Sequence, residues 1–105
     1  MAALADPATG VLIFDSYKTG TEPWRIVGGT SAATPIITAI YALAGNPGPA
    51  YPSAFPYRHR GKFFDIKSGS NGNCRPVRRY LCHGGKGYDA PTGVGTPNGW
   101  SGLHR

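Results

Sequence analysis

Acidic residues are scarce in this sequence: five Asp and Glu face eleven Lys and Arg, and charged residues of both signs reach only 15%. A hydrophobic fraction of 40% is too high for a disordered tail. Long apolar runs are missing too. The longest nearly uninterrupted one, Ile36 to Ala44, falls far short of the roughly 20 residues that span a bilayer, so no membrane segment is expected. No secretory leader is expected in the residues given, because Asp6, Pro7 and Gly10 interrupt the opening before an apolar stretch forms. What abounds is backbone punctuation: 16 Gly and 10 Pro in 105 residues suit one loop-rich domain or a piece of a larger one, and exclude two domains.

The formal charge of +6 raises the question of an acidic partner. Its distribution argues against nucleic acid. Arg58, Arg60, Lys62, Lys67, Arg75, Arg78, Arg79 and Lys86 are scattered through Gly- and Pro-rich sequence, not ranked along a helix or an aromatic-studded sheet. A solvated basic surface is the expectation, with a cationic binder of acidic surfaces as an alternative.

Val11-Leu12-Ile13-Phe14 and Trp24-Arg25-Ile26-Val27 are β-prone runs separated by Asp15 to Pro23, which contains Lys18-Thr19-Gly20-Thr21; they predict an antiparallel hairpin. Gly28 and Gly29 then mark a sharp turn or a close backbone approach, completing a segment 1–29. Segment 30–45 predicts a helix from about Ser31 to Ala44, with Gly45 as its stop and Pro35 tolerated near the first turn. Ile36, Ile37, Ile40, Tyr41, Leu43 and Ala44 cover more than one face, so this helix is expected to be buried, although the chain offers little to bury it with. Segment 46–62, with Pro47, Pro49, Pro52, Pro56, Tyr51, Phe55 and Tyr57, reads as an extended connection pinned by aromatic contacts. Phe63-Phe64-Asp65-Ile66 is strand-like and opens segment 63–99, a glycine-rich irregular stretch that needs a staple, followed by a tail at 100–105.

Ser31 is the candidate nucleophile. Gly28-Gly29-Thr30-Ser31-Ala32-Ala33-Thr34-Pro35 places its hydroxyl at the first turn of a helix, where unpaired N–H groups and the positive end of the dipole stabilise an oxyanion. Capping of the helix by Ser31 or Thr30 is the structural alternative. His59, His83 and His104 read as exposed loop residues, since no spacing ties them to Ser31. Cys74 and Cys82 bracket a short loop that suits a disulfide worth about 2 to 3 kcal/mol. Zinc held by Cys74, Cys82 and His83 is the weaker alternative, for want of paired C-x-x-C spacing.

The run Gly28 to Pro35 closely resembles the nucleophile motif of the sedolisins, serine-carboxyl peptidases with a subtilisin-like fold. Gly85-Lys86-Gly87-Tyr88-Asp89-Ala90-Pro91-Thr92-Gly93-Val94-Gly95-Thr96-Pro97-Asn98 resembles their calcium-loop ending, and Asp65-Ile66 lies between in the right order. Ala5 to Gly10 looks like the family's lead-in. The resemblance implies an α/β chain that is an incomplete C-terminal segment of a subtilisin-like fold: a β-hairpin, a buried helix and a loop-rich calcium-binding region.

It also implies that Ser31 forms an acyl-enzyme with a peptide or protein substrate. The family's glutamate base, the aspartate that orients it and the oxyanion aspartate all come from upstream sequence. Here only Asp6, Asp15 and Glu22 precede Ser31, and none stands in a Glu-x-x-x-Asp pattern. The chain alone is therefore expected to be inactive unless the missing portion completes it. The resemblance further implies Ca²⁺ held by Asp65 and Asp89 and by the backbone carbonyls of Ile66, Gly85 and Gly87. Carboxylate and carbonyl oxygens are the ligands that ion prefers, although both aspartates also suit ordinary turns. The family is extracellular. A non-catalytic calcium-binding scaffold or interaction module is the alternative reading.

Overall fold

The computed structural model describes residues 1–17, 20, 23–45 and 48–104. Lys18, Thr19 and Thr21 of the expected hairpin turn, Glu22, and Pro47 of the proline-rich connection lie outside the described residues. The chain divides into two compact units, residues 3–38 and residues 1–2 with 39–105.

The first unit begins with the expected hairpin. β1 (Val11–Phe14) and β2 (Trp24–Val27) pair antiparallel, with Val11 opposite Val27 and Phe14 opposite Trp24. The Phe14 and Trp24 rings meet edge to face, centroids 5.1 Å apart, at the turn end of the ladder. Asp15 continues the pairing through its N–H to the Pro23 carbonyl (2.7 Å), and its carboxylate accepts the Tyr17 N–H at 2.9 Å to start the turn. At the other end Gly28 lies so close to residues 6 and 7 that a Cβ there would stand 2.4 Å from Pro7 Cα. Gly29, at φ +86°, turns the chain into the helix, and its N–H donates to the Ala5 carbonyl.

Helix α1 (Thr30–Ala44) starts one residue earlier than expected and ends at Gly45 (φ +84°), which closes it with an N–H to the Ala42 carbonyl. Pro35 is its sixth residue, beyond the first turn, where its ring removes the N–H that would reach Ser31's carbonyl. The expected burial of this helix is overturned. Ala32 is its only buried residue among those described; Ile36, Ile37, Ile40, Tyr41 and Ala44 are half-buried, and Leu43 is 74% exposed. The sequence carries the apolar stripe of a core helix without enough further elements to cover it.

In the second unit, residues 52–62 do not form the extended connection expected for segment 46–62. They fold into tight helical turns: a 3₁₀ turn at Pro52–Ala54, helix α2 (Phe55–Arg58) and a second 3₁₀ turn at Arg60–Lys62. Pro52 is the first and Pro56 the second residue of its turn, within the first turn where a missing N–H costs nothing and the fixed φ favours helix. The aromatic pinning holds for Phe55, almost wholly buried, while Tyr51 is exposed. The strand expected at residues 63–66 is shorter: β3 (Phe63–Phe64) pairs antiparallel with β4 (Thr96–Pro97). Phe63, Val94 and Leu103 form the core, with Ile40, Tyr41 and Ala44 packed against it, and the Tyr41 hydroxyl donates to the Pro52 carbonyl at 2.9 Å. Cys74 and Cys82 are joined as a disulfide that staples a six-residue 3₁₀ segment, Pro76–Leu81. With no free cysteine remaining, the zinc alternative fails. The observed class is mixed α/β, with short helices and two small antiparallel sheets.

Candidate functional site: the helix-tip serine and the two-aspartate loop

Ser31 is the second residue of α1 and exposed. The Ala32 and Ala33 N–H groups both turn back to the Gly29 carbonyl, at 3.0 and 3.2 Å, so Gly29 holds the capping position that Ser31 or Thr30 was the alternative candidate to fill. The N–H groups of Thr30 and Ser31 and the Ser31 hydroxyl have no partner among the described residues. Free amide donors beside a free hydroxyl at a helix's positive end form an arrangement able to receive a developing oxyanion. Thr34 and Thr38 are occupied elsewhere: their hydroxyls donate to the Thr30 and Thr34 carbonyls at 2.7 and 2.9 Å.

No carboxylate serves Ser31 among the described residues of this unit. Asp6 accepts the Ala8 N–H at 2.9 Å and Asp15 accepts that of Tyr17, each closing its own local turn. The expectation that the histidines are exposed is overturned: His59, His83 and His104 are all half-buried. His59 stacks on Phe55 with Nδ1 3.4 Å from the Gly102 carbonyl, and His104 tilts against Trp100. For His59 and His104 ring packing, which no motif spacing reports, is the reason.

The second constellation lies in the other unit. Asp89 is buried, 5% exposed, and fully engaged: Oδ2 accepts the Gly85 N–H at 2.9 Å, and Oδ1 accepts both the N–H and the hydroxyl of Thr92 at 2.8 Å. Burial pushes its pKa up, but the bonds from Gly85 and Thr92 together outweigh it and hold the carboxyl below its ordinary value. Asp65 Oδ2 accepts the Gly87 N–H at 2.9 Å, while Oδ1 is buried without a partner. The short run 85–87 therefore binds both carboxylates. The carbonyls of Ile66, Gly85 and Gly87 accept no hydrogen bond among the described residues.

Carbonyl and carboxylate oxygens are the ligand type a hard cation takes, and Asp65 Oδ1 is a buried oxygen without a partner here. Among the described residues no three His, Cys, Asp or Glu side chains cluster, so the soft or imidazole-rich ligation of a transition metal is not offered. A pocket of about 270 Å³ opens beside Asp65, lined also by Arg60, Gly61, Gly87, Tyr88 and Val94. Thr92 escaped the sequence reading, although Asp89-Ala90-Pro91-Thr92 carries the spacing by which an aspartate and a threonine close a turn.

No family model matches the chain, and no solved structure matches it. Among curated proteins it is 32% identical over 106 residues to sedolisin of Pseudomonas sp. (strain 101), an alignment covering 94% of this chain. The same alignment covers 16% of sedolisin, so the chain spans about a sixth of the length of the relative it matches. Over nearly its whole length, then, the chain is similar to a segment of a sedolisin.

Proposed function

We propose that this chain is the C-terminal part of the catalytic domain of an extracellular, sedolisin-like serine endopeptidase, and that it carries the nucleophile without the groups that activate it. The observation that carries the reading is the similarity to sedolisin across 94% of the chain. Ser31 is the nucleophile: its oxygen attacks a peptide carbonyl, the amine departs, and water hydrolyses the acyl-enzyme. The free N–H groups of Thr30 and Ser31 support a role in holding the oxyanion. Among the described residues preceding Ser31 no carboxylate is left for proton transfer, since Asp6 and Asp15 are spent on their own turns. Loss of one member of such a unit costs about 10⁴ to 10⁶ in turnover, which leaves the isolated chain inactive.

Asp65 and Asp89, with the carbonyls of Ile66, Gly85 and Gly87, would hold Ca²⁺. Bound there, the ion would balance the two carboxylates and tie the residue 65 turn to the 85–89 loop. Asp65 Oδ1, buried and unpaired, is the atom that supports this assignment most. The same atom favours the second reading, a calcium-stabilised scaffold with no catalysis. Calorimetric titration with Ca²⁺ tests the site: the chain is expected to bind about one ion and Asp65→Asn to bind at least tenfold more weakly, whereas a folded chain that takes up no calcium contradicts the assignment. A fluorophosphonate probe separates the two readings once the missing portion is supplied, because only a peptidase then labels at Ser31.

A further inference from the structure

Between Asp65 and Asp89 the chain contains no acidic residue, but it contains Lys67, Arg75, Arg78, Arg79 and Lys86. The two flanking aspartates are bound by the Gly87 and Gly85 amides and do not serve as counter-charges. Three of these cations, all arginines, sit on the loop closed by Cys74 and Cys82, and none forms an ion pair among the described residues. The loop is also rich in uncovered apolar surface: Val77 is 86% exposed, Tyr80 65% and Leu81 41%. Its backbone is held from within. Arg78 N–H donates to the Arg75 carbonyl at 2.8 Å, Cys82 and His83 N–H both reach the Arg79 carbonyl at 3.0 Å, and Asn71 N–H reaches the Cys82 carbonyl at 3.0 Å.

We propose that this disulfide-closed loop is a docking surface for an extended acidic polypeptide segment bearing apolar side chains among its carboxylates. Arginine presents a planar fork that matches a carboxylate bidentately, and Tyr and Arg are the side chains that anchor protein interfaces. The bridge and the internal hydrogen bonds fix the loop before it binds, which lowers the ordering cost of association. Nucleic acid fits less well, because Tyr80 alone offers bases a stacking face while Val77 and Leu81 offer none. A bilayer fits less well too, since the loop carries no amphipathic helix and three apolar side chains make a thin anchor. The proposal stands apart from the peptidase reading, as binding is measured without turnover.

The test is fluorescence anisotropy of a fluorescein-labelled peptide of alternating Glu and Leu, titrated with the full chain at low ionic strength. Saturable binding that weakens as salt rises is expected. Replacing Arg75, Arg78 and Arg79 together by Ala should weaken it by about tenfold or more, as three exposed ion pairs lost at once. Lys67→Ala with Lys86→Ala, which removes two cations outside the loop, should cost less than about threefold. Val77→Ser with Leu81→Ser should weaken binding several-fold while leaving net charge unchanged, and being exposed these side chains can be replaced without unfolding the chain. Absence of saturable binding overturns the proposal. So do equal losses in the arginine and lysine variants, or tighter binding to single-stranded DNA or to phosphatidylglycerol vesicles than to the peptide.

Discussion

Tyr41 shows how one hydroxyl couples folding to pH. Burial pushes its pKa above the ordinary value of 10.0, and its hydroxyl donates to the Pro52 carbonyl. A phenol whose folded-state pKa is raised stabilises the protein below the unfolded value and loses that contribution as pH climbs through the folded one. The unfolding temperature should therefore fall above about pH 10. Tyr41→Phe should lose about 1 kcal/mol at neutral pH, for the missing hydrogen bond, and show a smaller alkaline decline in a thermal melt series. Ser31 and Asp65 teach a related lesson. Their residue types and neighbours were legible as chemistry, but the unpaired state of the Ser31 hydroxyl and of Asp65 Oδ1 is a three-dimensional fact. So is the grip of Thr92 on Asp89, which no carboxylate count reveals.

Among the elements, the strand, glycine turn and helix were the most legible part of the fold, because each rests on local rules: β-branched and aromatic runs, backbone freedom at Gly29, alanine-rich helix. Gly28 adds a constraint that is not local. Gly28→Ala must push residues 6 and 7 aside, since its methyl would meet Pro7 Cα at 2.4 Å. A loss of about 1 to 3 kcal/mol in urea-induced unfolding is expected, and a neutral substitution would contradict this packing. The stretch around Pro52 and Pro56 was misread because proline was weighed as a breaker, whereas position within a turn decides whether it starts one. The hairpin itself presents uncovered apolar surface. Leu12 and Ile26 face each other in register and are each 63% exposed. The isolated chain should bind a hydrophobic dye such as ANS, and Leu12→Thr with Ile26→Thr should reduce that binding while β propensity is kept.

At the scale of the whole chain, the apolar helix, the uncovered hairpin and a core of few buried side chains have one physical reading. A domain of about 100 residues normally closes its elements around one core, and here α1 has the composition of a core helix with little over it. That mismatch was readable in sequence as a count of elements, but composition alone led to the expectation of a buried helix. On the proposed reading, the covering surfaces and the activating carboxylates belong to other parts of a sedolisin-like peptidase, of which the alignment with sedolisin reaches 16%. The most direct measurement is peptide hydrolysis by a chimera in which this chain replaces the matching segment of Pseudomonas sedolisin, with the isolated chain assayed beside it. The chimera is predicted to turn over a peptide substrate, to lose that turnover in Ser31→Ala, and to do so while the isolated chain stays inactive. A folded chimera with no turnover, or one whose turnover survives Ser31→Ala, would contradict the account, as would Ser31-dependent hydrolysis by the isolated chain.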